Sequence, residues 1–302
     1  MKTYEIARVN AHLLRSPQQA IDQCEQALHR QIGEAAALAA GASGAVLLLS
    51  GPSGSGKTTA AHMLAEALAR CGRPGRPLPM DDYFLSHSAG PMPVDELGLV
   101  DFESPDRLDR PLLRRHLDCL RARRAIEVPS FDFSRQERTG HTRAFALRPG
   151  ECAVVEGIHA LNPDVTGGED AGLYVDAGLS FRAPCGALLT PDRLRLLRRL
   201  SRDRVSRGRS TEDTLALFAS VSRGERKYIL PYRGRALAEI RTGMAYELGL
   251  YRTLVLPHLP DGGPHGALCD ELRYFLQQAL PLPPSAVPPH SLLREFIGQA
   301  GL

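Results

Sequence analysis

Residues 45–60, Ala-Val-Leu-Leu-Leu-Ser-Gly-Pro-Ser-Gly-Ser-Gly-Lys-Thr-Thr-Ala, constrain this chain more than any other stretch. The run Val46 to Leu49 has no polar face, so it reads as a strand buried on both sides. It breaks into Gly51-Pro52-Ser53-Gly54-Ser55-Gly56, and Lys57-Thr58-Thr59 opens a helical pattern. The spacing is G-x-x-x-x-G-K-[ST] in a strand–loop–helix setting. Such a loop wraps phosphate with its backbone, and a Cβ would block the approach. Free N–H groups and the positive end of the helix point at the anion. Gly51, Ser53, Gly54, Ser55, Gly56, Lys57, Thr58 and Thr59 are therefore the candidate nucleotide-binding residues. Lys57 is placed to reach the β/γ oxygens, and the Thr58 hydroxyl to ligate Mg²⁺. A glycine turn that binds nothing is the alternative; pattern, strand and helix together argue against it.

Composition narrows the setting. Of 302 residues, 43% are hydrophobic, which supplies a large core, and a net charge of +3 gives no reason to invoke nucleic acid or a membrane surface. Six scattered cysteines without a C-x-x-C read as buried thiols of a reducing compartment. The first residues lack a leader-like apolar core, and no apolar run is long enough for a bilayer, so the cytoplasm is the expected location.

Around this centre the chain reads as follows. Residues 17–40 carry a helical pattern with Ser16 as cap, and 1–44 are expected as a helical segment packed beside the site. After the helix that follows the loop, Gly72 to Pro77 read as a turn, and a short strand then delivers Asp81-Asp82. Carboxyl ends of parallel strands form the ligand crevice, and two adjacent acids point to different sides, so one is expected to do chemistry. A solvated turn or cap is the bland alternative. Ser104 and Pro105 look like the start of a helix running to Arg124, and Glu103 reads equally as a capping acid or a ligand for a hydroxyl. Phe131 and Phe133 suit either stacking on a flat ring or core filling. A second apolar strand ends in Glu156, placed to hold a Mg²⁺ hydration shell, with Gly157 letting backbone pass close to the phosphates.

Residues 192–210 combine a narrow apolar stripe with many arginines, few acids and a break at Gly208. A solvated face or a nucleic-acid helix are the alternatives; beside a phosphate loop the stretch reads as a hinged lid that neutralises phosphoryl charge and excludes water. Residues 281–302 are expected as a proline-rich linker and a tail with a short docked helix.

The ordered set Gly-Pro-Ser-Gly-Ser-Gly-Lys-Thr-Thr, Asp-Asp-Tyr-Phe, Asp-Phe-Glu-Ser-Pro-Asp-Arg-Leu-Asp, Pro-Ser-Phe-Asp-Phe, Val-Val-Glu-Gly-Ile-His-Ala-Leu and Arg-Leu-Leu-Arg-Arg-Leu-Ser-Arg-Asp resembles the uridine kinase/phosphoribulokinase family across roughly residues 45–250. The closing Pro-Pro-His-Ser-Leu-Leu-Arg-Glu-Phe-Ile-Gly looks like the tail of a bacterial nucleoside kinase branch. The resemblance implies that Asp81 takes the proton from the acceptor hydroxyl and faces the metal with Thr58 and Glu156. It places Phe84, Phe131, Phe133 and Gln136 at a nucleobase, Glu103 at ribose hydroxyls, Arg195 on the ribose and phosphate side, and Arg198, Arg202 and Arg207 in the lid. Glu103, Phe131 and Gln136 stand where relatives usually have Asp, Tyr and His, all on the acceptor side.

The expectation is thus an α/β fold of P-loop type: a parallel sheet flanked by helices with an arginine-rich lid, in a kinase domain spanning 45–280. ATP and Mg²⁺ are the implied cofactors. Lys57, Asp81 and Arg198 are the expected catalytic residues, and Arg202 an ATP contact. The partner is a small-molecule alcohol, a nucleoside above all, with no nucleic acid or membrane and a possible homo-oligomer. A sugar-phosphate or pantothenate-like acceptor and a nucleotide-sensing module without turnover are the alternatives.

Overall fold

The computed structural model describes residues 2–133 and 135–298 of the chain. Its strands are β1 (Lys2–Glu5), β2 (Val46–Ser50), β3 (Gly75–Pro79), β4 (Ile126–Asp132), β5 (Glu137–Phe145), β6 (Cys152–Glu156), β7 (Ala171–Asp176), β8 (Leu179–Arg182), β9 (Leu188–Leu189) and β10 (Ala238–Arg241). The helices are α1 (Ile6–Arg15), α2 (Pro17–Ala40), α3 (Lys57–Arg70), α4 (Arg110–Arg121), α5 (Pro163–Thr166), α6 (Pro191–Ser206), α7 (Thr211–Tyr228), α8 (Glu247–Leu254), α9 (Gly266–Gln278) and α10 (Arg294–Ile297).

Five strands form the main sheet in the order β10-β7-β2-β6-β3, all parallel. The apolar β2 takes the centre, as its lack of a polar face requires. Alternation divides its side chains between two cores. Leu47 and Leu49 pack with Ile21, Ile32, Leu64 and Leu68 from α2 and α3, while Val46 and Leu48 pack with Leu113, Leu117 and Leu120 of α4. Helices therefore cover both faces. The strand β3 lies at an edge, which is where Pro77 and Pro79 can do without a ladder donor. What the sequence offers as a turn from Gly72 is largely this strand.

Three expectations change here. The N-terminal segment is not wholly helical: β1 pairs in parallel with β8, which also pairs with β9. Ser104 caps only a 3-10 turn, Pro105–Arg107; α4 begins later, with the Asp109 side chain accepting from Leu112 N and Pro111 in its first turn. Most of α6 is core rather than lid. Leu194, Arg195, Leu196, Leu197, Arg198, Arg199 and Leu200 are all buried, so only its C-terminal end and the loop through Gly208 (φ +59°) are exposed. The acids that seemed too few to pair its arginines come from elsewhere: Asp176, Glu225 and Glu247.

The six cysteines are free thiols, though Cys71 and Cys185 are exposed rather than buried. Among the described residues no helix is long and apolar enough to cross a membrane. The far end of the expected tail, residues 299–302, lies outside the described residues.

Candidate active site

The phosphate loop sits where β2 turns into α3, at the carboxyl end of the sheet. A Cβ on Gly51 would lie 2.1 Å from the Val175 carbonyl oxygen, so the loop can leave the strand only through glycine. Gly56 precedes α3 at φ +86°, a left-handed conformation that costs a side chain strain. Gly56 gives α3 no capping side chain at its N-terminus, and Ser55 Oγ, fully buried, has no hydrogen-bond partner. Backbone cradle, helix end and orphaned hydroxyl fit a bound polyphosphate. Lys57 folds back, donating to the Pro52 carbonyl at 3.0 Å.

Two acids face this cradle. The Thr58 hydroxyl donates to Glu156 Oε1 at 3.0 Å. Burial, and then the neighbouring Asp81 charge, push the Glu156 carboxyl up to about 7, against the pull of Lys57. Burial likewise raises Asp81, opposed by Lys57, Arg207 and Arg202. Asp82 is paired elsewhere, accepting from Arg143 at 3.1 Å, whereas Asp81 has Lys57, Arg207 and Arg202 as its nearby cations. Two carboxylates and a hydroxyl, all oxygen donors, suit Mg²⁺, which keeps its waters and takes few protein ligands. Gly157 packs tightly on the segment that carries Asp81. A Cβ there would lie 2.7 Å from Met80 Cβ, so it makes room for the side chain preceding Asp81.

Beyond Asp81 lies an aromatic wall. Phe84, Phe131 and Phe133 meet edge to face, with centroids 5.6, 6.0 and 5.1 Å apart. Phe131 is nearly buried; Phe133 is 45% exposed. Arg107, part of the quoted acidic motif but given no role from sequence, stacks on Phe84 and donates to Gln136 Oε1 at 3.2 Å. Gln136 sits at φ +55° and donates in turn to the Phe133 carbonyl. Glu103 is buried with Oε2 unpartnered, and its carboxyl is raised by burial against Arg199 and Lys57. It caps no helix here. Gly224 of α7 makes this possible, since a Cβ there would lie 2.4 Å from Glu103 Cβ.

The arginines divide into struts and lid. Arg198 was expected to act on the phosphoryl group; its placement rules out that contact. The side chain is fully buried. Its Nε and Nη2 grip Glu247 at 2.8 and 3.0 Å, and the remaining N–H groups serve Thr242 and the carbonyls of Gly54 and Ser55. All five donors are used, so Arg198 positions the loop. Arg195 is likewise bound to Asp176 and Glu225 rather than open to a ligand. Arg199 donates to Ser53 Oγ at 2.6 Å. Arg202, Arg207 and Arg209 gather on the buried Asp203, and Arg207 reaches over Phe133, 6.0 Å from its centroid. Glu247 had no sequence signal beyond being an acid in a helical stretch, and Asp203 closed the quoted arginine motif without a role of its own.

The fold and this constellation define a P-loop phosphotransferase, with acids and an aromatic cluster beside its phosphate loop. The Phosphoribulokinase / Uridine kinase family matches residues 46–245. A uridine kinase of Lactobacillus helveticus is 32% identical over 171 residues, 56% of this chain and 72% of that protein. One from Borrelia turicatae is 29% identical over 208 residues, 68% of this chain and 90% of the other. Among solved structures, a putative fructose transport system kinase from Silicibacter sp. TM1040 aligns at a TM-score of 0.46 and 22% identity, covering 70% of this chain and 98% of that one, a likeness too distant to add to the argument. The chain belongs to the phosphoribulokinase/uridine kinase family, and it is a phosphotransferase with an alcohol group as acceptor.

Proposed function

We propose that the protein transfers the γ-phosphoryl of MgATP to the 5′-hydroxyl of a pyrimidine nucleoside, with uridine and cytidine foremost. The observation that carries this is Asp81, with Lys57 as its first charged neighbour, on the same turn as Phe84 of a three-phenylalanine cluster whose outer ring, Phe133, is half exposed. A flat base lies against Phe133, the ribose hydroxyls reach the unpartnered Glu103 oxygen, and the 5′-hydroxyl is left at Asp81.

In the transfer, Asp81 accepts the hydroxyl proton as that oxygen bonds to phosphorus and the bond to the leaving ADP oxygen breaks. Lys57 leaves the Pro52 carbonyl for the phosphate oxygens. Arg207 and Arg202 bring positive charge over them from the lid, and Arg198 keeps the Gly54 and Ser55 carbonyls in place. Thr58 and Glu156, which already meet through a hydrogen bond, would hold a magnesium ion with Asp81 nearby, and the ion would supply charge neutralisation.

Two of the nearby arginines are already paired, which favours an unphosphorylated acceptor. Arg138 is spent on Asp109 and the Tyr83 and Phe84 carbonyls, and Arg143 on Asp82. The test is a panel of uridine, cytidine, adenosine, ribulose 5-phosphate and pantothenate with MgATP, read as ADP release. Pyrimidine nucleosides are expected to give the highest kcat/KM. A phosphorylated sugar ahead of them would overturn the acceptor assignment.

A further inference from the structure

The cradle has an occupant from its own chain. In α10, Glu295 Oε2 accepts from Thr59 Oγ1 at 2.8 Å and from Thr59 N at 3.3 Å. Leu292 fills the space beside Gly56, where a Cβ would lie 2.7 Å from Leu292 Cδ2. Phe296 lies under Arg198, 4.8 Å from ring centroid to guanidinium carbon. Leu292, Leu293 and Phe296 are fully buried, so this is a docked segment and not a loose end.

Thr59 stands in the first turn of α3, and its two donors belong to the set that a phosphate loop offers an anion. A carboxylate satisfies them as a phosphate oxygen does, and one pair of donors cannot serve both. Close approach of a triphosphate to Glu295 also sets like charges together in a half-buried site, where screening is weak.

We propose that residues 291–298 form an autoinhibitory strap: Glu295 stands in for a phosphate oxygen at Thr59, and triphosphate binding requires the segment to leave. This rests on reading the cradle as the triphosphate site, and the experiment keeps the two apart.

Calorimetric titration of the full chain with MgATP is run on the wild type, Glu295→Gln, Glu295→Ala and Lys57→Ala. Both Glu295 variants are expected to bind at least tenfold more tightly than the wild type, and Lys57→Ala to lose binding. Amide exchange on the wild type is expected to show segment 292–297 losing protection at saturating MgATP. Unchanged or weaker affinity in both Glu295 variants, or unchanged protection of the segment, overturns the strap. Binding by Lys57→Ala equal to the wild type overturns the cradle reading itself.

Discussion

Replacing Arg198 with methionine tests whether this arginine supports the cradle. The guanidinium and Glu247 are both fully buried, and they meet through two hydrogen bonds. Removing one member of a buried pair strands the other charge, at about 3–5 kcal/mol. For a chain of this size, that lowers the melting temperature by on the order of 10 °C. The double variant Arg198→Met/Glu247→Leu removes both charges and is expected to recover most of that loss, since an apolar pair of similar volume is tolerated. Nucleotide binding separates fold from site. The Gly54 carbonyl still lacks its donor in the double variant, and Ser55 O keeps only Thr242, so its MgATP affinity is expected to stay about tenfold or more below the wild type, a loss of about 1.4 kcal/mol. Thermal unfolding by circular dichroism gives the first quantity and calorimetry the second. A single variant that melts within 2 °C of the wild type (roughly 1 kcal/mol), or a double variant that recovers stability and affinity together, refutes the reasoning.

Asp81→Asn is expected to lower kcat by about 10²–10⁴-fold while the MgATP dissociation constant stays within about twofold, checked by steady-state kinetics and titration. Glu156 carries a folded carboxyl raised to about 7 from 4.5, so its share of stability is complete below pH 4.5 and lost as pH rises through 7, about 3 kcal/mol in the ligand-free chain. Glu156→Gln is therefore expected to melt higher than the wild type at pH 8 and to lose turnover; a lower melting point there contradicts the burial argument. Phe133→Ala is expected to raise the nucleoside KM about tenfold, the scale of one stacked base, with little change in the KM for ATP.

The sheet and the phosphate loop were legible because their signals are local. An apolar run such as Val46 to Leu49 can only be a central strand, and the glycine spacing that follows permits few conformations. The carboxyl ends of β3 and β6 delivered Asp81 and Glu156 to the cradle for the same reason. The arginine helix misled because its partners are distant in sequence. Glu247 lies 49 residues from Arg198 and Glu225 lies 30 from Arg195, so periodicity within α6 could not show that these side chains are struts. Glu103 stayed ambiguous until Gly224, far along the chain, proved to be the surface it packs on. The tail's apolar residues could be read as docking, but nothing local told that they dock on the cradle.

The central claim is that this cradle and Asp81 bring a nucleoside hydroxyl to a triphosphate. Phosphorus NMR of a mixture of the protein, MgATP and uridine tests it most directly. ADP and a 5′-monophosphate of uridine growing in equal amounts, with neither formed by Asp81→Asn, is the predicted result. ATP loss to ADP and inorganic phosphate alone, with uridine and every other acceptor of the panel recovered unchanged, would contradict it.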